Sequence, residues 1–150
     1  MQYFRTDPTP QGVGYPIIGA NSDIFNPADA VYIDSNGFLA NASTSSKILG
    51  FALDTITMAS DNQTVGFVKP KYAYAGDLEV VYGSDQDCTQ TDIGAYADLG
   101  TVTSNAHELN LAAGATGQFL VLGFDPRGED DDDAVVVCVA EPQKLAFAQA

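Results

Sequence analysis

From residue 29 onward, apolar residues come in short runs, broken at short intervals by Gly, Pro, Asn, Asp or Ser. Ala30-Val31-Tyr32-Ile33 is a run of β-favouring residues, and the Asn36-Gly37 pair that follows is the strongest short-range hairpin signal. Residues 38–40 form the returning strand. A Ser/Thr-rich bend then leads into residues 47–53, where Gly50 marks a bulge or a close backbone approach. Residues 64–68 form a further strand stopped by Pro70, and residues 78–82 another closed by Gly83. Residues 95–100 fit a strand or a single helical turn. Residues 106–111 alternate, which reads as a strand with one wet face, and His107 is placed on that wet face. Residues 119–124 and 134–140 are apolar on both faces, as central, doubly covered strands are; the long loop 125–133 joins them. Residues 144–147 suit a last edge strand. The fold class expected is all-β: a small β-barrel or sandwich of short antiparallel strands spanning residues 27–150. A split into two β subdomains, 27–72 and 73–150, stays open.

Residues 1–26 differ from the rest. Pro8, Pro10 and Pro16 alternate with Gly12, Gly14 and Gly19, and Pro27 follows. Proline removes amide donors and fixes φ, so neither a helix nor a central strand runs through here. The segment nonetheless carries Tyr3, Phe4, Val13, Tyr15, Ile17, Ile18, Ile24 and Phe25. This is the pattern of an extended arm that lays apolar side chains on a surface. That surface is either a partner's or the chain's own core, and both readings stand. On the first, the partner-binding candidates are Tyr3, Phe4, Arg5, Tyr15, Ile17 and Ile18.

The 150 residues suit one ordinary domain, and 45% hydrophobic residues argue against wholesale disorder. Charge changes the picture more. Six Lys+Arg stand against twenty Asp+Glu, a net charge of −14, and sixteen of the acids are Asp. A basic patch able to displace counterions from phosphates cannot be assembled, so nucleic acid and anionic membranes are excluded as partners. A basic partner fits better. No apolar run approaches the length of a membrane span, and the start Met1-Gln2-Tyr3-Phe4-Arg5 lacks a secretory pattern, so synthesis in a cytoplasm is expected. Cys88 and Cys138 have no zinc-site spacing. Cys138, inside a valine run, reads as a small buried hydrophobe, and a Cys88–Cys138 disulfide is disfavoured in a reducing compartment.

Candidate chemistry is sparse. His107 is the only histidine, no GxSxG elbow accompanies it, and no second histidine completes a metal-binding helix after His107-Glu108. The run Glu129-Asp130-Asp131-Asp132-Asp133 lacks the alternation that wraps one cation, and like charges this dense repel, so it reads first as a solvated, mobile loop tip; Asp130, Asp131, Asp132 and Asp133 remain weak candidates for a divalent site or a clamp on a neighbour's basic residues. There is no phosphate loop, and no cofactor is expected. Nor is an enzymatic activity.

The run from Ala28 through Val31-Tyr-Ile-Asp-Ser-Asn-Gly-Phe-Leu-Ala40, with Lys47-Ile-Leu-Gly-Phe-Ala-Leu-Asp54, resembles small capsid decoration (cement) proteins of tailed viruses. Residues 117–140 are similar, more loosely, to the closing hairpin of related head proteins. The resemblance implies a structural protein on the outside of a virion that bridges major capsid subunits. It also implies sister copies arranged as a homotrimer, and no catalytic residues. A receptor- or carbohydrate-binding β-sandwich module, or another head or tail component, is the alternative.

Overall fold

The computed structural model describes residues 2–9, 12–14, 17–20, 22–44, 46–58, 69–84, 86, 88–103, 106–114, 117–124, 134–141 and 143. Among these described residues twelve strands follow in order: β1 Gln2–Phe4, β2 Ile24–Phe25, β3 Ala30–Ile33, β4 Leu39–Asn41, β5 Gly50–Ala52, β6 Ile56–Thr57, β7 Tyr72–Tyr74, β8 Val80–Ser84, β9 Tyr96–Thr103, β10 Ala106–Gly114, β11 Phe119–Phe124 and β12 Val135–Val139. The fold is all-β, as expected. Five strands close a small barrel in the order β8-β10-β9-β11-β12, with β12 pairing back onto β8. A four-stranded sheet, β4-β3-β5-β7, packs beside it, and β2 pairs with β6.

Period-two alternation decides what fills the barrel. Val80 and Tyr82, Ala97 and Leu99, Leu109 and Leu111, Phe119 and Val121, and Val135, Val137 and Val139 all join one buried cluster. The four-stranded sheet adds Ala30, Phe51 and Ala73 to that same cluster, one from each of three paired strands. Its opposite face carries Val31, Ala52 and Tyr72 into a second cluster with Phe25, Leu39 and Met58. One core therefore runs unbroken from barrel to sheet, and the sheet is apolar on both faces.

Local chemistry sets the joints. Gly37 has φ +85°, and Asp34 Oδ1 accepts from the Asn36 and Phe38 amides at 2.8 and 2.9 Å, closing the β3–β4 hairpin at the Asn-Gly pair. At Gly50 a Cβ would lie 2.0 Å from the Ala73 carbonyl oxygen, so β5 and β7 meet at a distance that admits no side chain. Of residues 95–100, all but Ala95 resolve as strand, within β9. Cys88 and Cys138 are both buried, and they form no disulfide with each other.

Several expectations need correction. The strands are not uniformly antiparallel: β8 and β10 run parallel, with Glu108 opposite Gly83 and Leu109 opposite Ser84. A closed ring of five strands cannot alternate direction all the way round, so one parallel neighbour is unavoidable. β11 is not covered on both faces; Leu122 is 37% exposed. β12 is buried throughout, because its outward Val136 packs with Val81 and Ala134 under Tyr3 of β1. The strand expected at 47–53 is confined to β5. The strands expected at 64–68 and 144–147, and the loop 125–133, lie outside the described residues.

Candidate functional site

The described part of residues 2–26 forms an outer layer over both sheets. β1 pairs antiparallel with the first three residues of β8, Gln2 opposite Tyr82 and Phe4 opposite Val80. β10 takes over the same edge of β8 at Gly83. Strand alternation sends Gln2 and Phe4 inward with Tyr82 and Val80, and Tyr3 outward with Val81. Phe4 meets Phe51 edge to face, with ring centroids 6.4 Å apart. Further along, Gly14 N–H donates to Tyr72 O at 2.8 Å, and Leu39 N–H donates to Ile18 O at 2.9 Å. Ile17 packs on the second cluster. The arm thus caps the edges of β7 and β4, which would otherwise offer unpaired backbone groups.

Of the six candidate binding residues, Tyr3, Phe4, Ile17 and Ile18 are half-buried against their own chain, Arg5 is exposed, and Tyr15 lies outside the described residues. Arg5 sits with Glu79, Leu122, Gly123 and Val136 around an open depression of about 180 Å³. Val13 is 59% exposed; it bridges Ala73 on β7, next to Tyr74, which is 41% exposed. Asp130, Asp131, Asp132 and Asp133 also lie outside the described residues. Among the described residues no three His, Cys, Asp or Glu side chains gather as a ligand set, and no helix is long and apolar enough to cross a membrane.

His107 is not on a wet face. It is 2% exposed, on the same side of β10 as Leu109 and Leu111. Its Nε2 accepts from the Ala30 amide at 3.1 Å and lies 3.4 Å from Asp29 Oδ1. The neutral ring therefore carries its proton on Nδ1. Its backbone N–H donates to Gln2 Oε1 at 2.9 Å. Gln2 Nε2 in turn donates to Asp29 Oδ1 at 2.5 Å and to Pro27 O at 3.0 Å. Asp29 Oδ2 accepts from the Asn26 amide at 2.7 Å. The Tyr82 hydroxyl donates to Ala28 O, and its ring meets His107 edge to face at 5.7 Å. Ala28 holds φ +70°, a left-handed conformation fixed here by its N–H bond to Ala52 O and by the tyrosine.

Burial sets the electrostatics. It pushes the His107 pKa down to about 4 and the Tyr82 hydroxyl well above its ordinary range. It raises the Asp29 carboxyl, against the lowering pull of the Gln2 and Asn26 hydrogen bonds. At neutral pH the histidine is a neutral acceptor serving a backbone amide. Gln2, Asp29 and His107 thus join β1, the start of β3 and β10 in one buried polar junction. The period-two pattern of residues 107, 109 and 111 did carry the signal for His107; the polarity of its side chain masked it.

A second buried polar joint lies at Gln118, 3% exposed. Its Oε1 accepts from Leu99 N at 2.9 Å, and its Nε2 donates to Ser43 O at 2.9 Å and Ser46 O at 2.5 Å. It pins the Ser/Thr bend to the barrel. Nothing in the sequence singled it out.

No family model, curated protein or solved structure matches the chain.

Proposed function

We propose that this chain is a structural virion protein that binds the outside of a viral capsid and stabilises contacts between major capsid subunits, with sister copies as neighbours. The observation that carries the reading is the division of labour in residues 2–26. Phe4, Ile17 and Phe25 turn inward and Tyr3 covers the outer face of Val81 and Val136, while Arg5 and Val13 face solvent beside Leu122 and Tyr74. The chain's chemistry-bearing groups point the same way. Its one histidine accepts from the Ala30 amide and the adjacent Asp29 from the Asn26 amide, and groups engaged in this way support a reading in which the molecule offers a surface. Its net charge of −14 favours a basic face on the shell.

The test is co-sedimentation of the purified protein with tailed-virus capsids stripped of surface proteins, at low and high salt. Saturable binding at a fixed ratio to the major capsid subunit is expected, weakening with salt. Val13→Asp should keep the fold, seen as an unchanged melting temperature, and reduce binding at least tenfold. Absence of binding at either salt overturns the reading. Unchanged binding by Val13→Asp removes the arm from the contact surface.

A further inference from the structure

The junction of Gln2, Asp29 and His107 ties together residues far apart in the chain, and its geometry depends on one protonation state. His107 Nε2 can accept from Ala30 N–H only while it is unprotonated. A proton there places two donors face to face. The nearest acceptor, Asp29 Oδ1 at 3.4 Å, is already engaged by Gln2. Turning the imidazolium toward Asp29 therefore competes with the side chain that fastens β1, and among the described residues the ring's Nδ1 meets no partner to help hold a charge. The groups that face the ring are Asp29 from the start of β3, Tyr82 from β8 and Gln2 from β1; Glu108, next on its own strand, points to the opposite face.

We propose that this junction is an acid-operated latch: protonation of His107 releases strand β1 from β8, uncovering the β8 edge and freeing the arm's first residues. Release requires no change in the barrel, because the ring β8-β10-β9-β11-β12 closes without β1.

The magnitude follows from linkage. If opening restores the ring from about 4 to its ordinary 6.5, the opening constant grows about 20-fold between pH 7 and pH 5. Asp29 acts in the other sense. Its raised pKa makes the closed state bind a proton more readily than the open one, so acid favours closure through that group. Replacing Asp29 by Asn removes this opposition and also removes the negative charge that eases protonation of the ring. Both changes enlarge the acid response.

The experiment is amide hydrogen exchange of the full chain by NMR at pH 7 and pH 5, corrected for intrinsic rates. The Arg5 amide, which donates to Glu79 O at 2.9 Å, and the His107 amide, which donates to Gln2, report the latch; Val137 in β12 reports the barrel. Arg5 and His107 protection should fall about 20-fold while Val137 holds. In His107→Gln the fall should vanish, and in Asp29→Asn it should be at least as large as in the native chain. Unchanged Arg5 protection in the native chain, or an equal acid response in His107→Gln, overturns the proposal. Should His107→Gln fail to fold, the native chain still decides, since its single histidine gives one unambiguous Cε1–H titration. A midpoint well below 6.5, shared by the Gln2 side-chain amide resonances, is expected. A midpoint at or above 6.5, or Gln2 resonances that do not move, overturns it.

Discussion

Gly50→Ala tests the close contact between β5 and β7. The added Cβ would sit 2.0 Å from Ala73 O and 2.9 Å from Ala73 C. Both are backbone atoms, so no side chain can swing aside. Ordinary contact begins near 3.4 Å, so the strands must part by more than an ångström where Gly50 pairs with Tyr74 and Phe51 with Ala73. Such a shift breaks about two ladder hydrogen bonds, each worth roughly 1 kcal/mol net. It also loosens Phe51 and Ala73, which sit in the cluster shared with the barrel; overpacking strain of this kind costs about 1–3 kcal/mol. The sum is about 3–5 kcal/mol, a large fraction of the roughly 5–15 kcal/mol that holds a domain together. Urea unfolding followed by tyrosine fluorescence measures it. Gly83→Ala is the matched control: Gly83 also lies in a strand, and a Cβ there meets nothing within 4 Å. That variant should change stability by less than about 0.5 kcal/mol. A Gly50→Ala midpoint as close to native as that of Gly83→Ala would refute the reasoning.

Further outcomes follow from the same packing. Gln118→Leu should cost about 2–4 kcal/mol in urea unfolding, because Leu99 N, Ser43 O and Ser46 O lose a buried partner together. Tyr3→Ala should cost about 2–3 kcal/mol and speed exchange of the Val81 and Val136 amides, since Tyr3 packs over that valine pair. Global stability should fall as pH drops from 6.5 toward 4, because the unfolded chain takes up a proton that folded His107 resists. At about 1.4 kcal/mol per pH unit the loss approaches 3 kcal/mol at most, reduced by Asp29, whose raised pKa adds stability in acid. Chemical denaturation of native and His107→Gln protein at pH 7 and 5 checks the sign: the native midpoint drops more.

The all-β class, the Asn36-Gly37 hairpin and the close approach at Gly50 were legible because each rests on local physics: strand periodicity, turn φ values and the missing Cβ. What was not legible came from long range. The apolar 134–140 run showed that β12 is covered twice, but not that Tyr3 supplies one cover. The same doubly apolar pattern at 119–124 misled, since Leu122 faces out. His107 was misplaced because polarity outweighed its position in phase with Leu109 and Leu111, and because its acceptor role depends on Ala30, 77 residues away. The arm's prolines and glycines argued against a helix or a central strand without saying which surface its apolar residues would find, or that Gln2–Phe4 and Ile24–Phe25 would pair as short strands.

The pairing of β1 with β8 also orders events in time. Gln2 closes its contacts with Asp29 and with the His107 amide, the latter 105 residues further along. A ribosome delivers the plug long before the socket is complete. Tyr3 and Phe4 must wait, uncovered, until β8 and β10 have been made and have found one another, because closing so long a loop is rewarded only once its far partners are in place. Docking of β1 is therefore a late step of maturation, and the unsheltered interval before it is when a nascent chain is most open to mispairing with a neighbour.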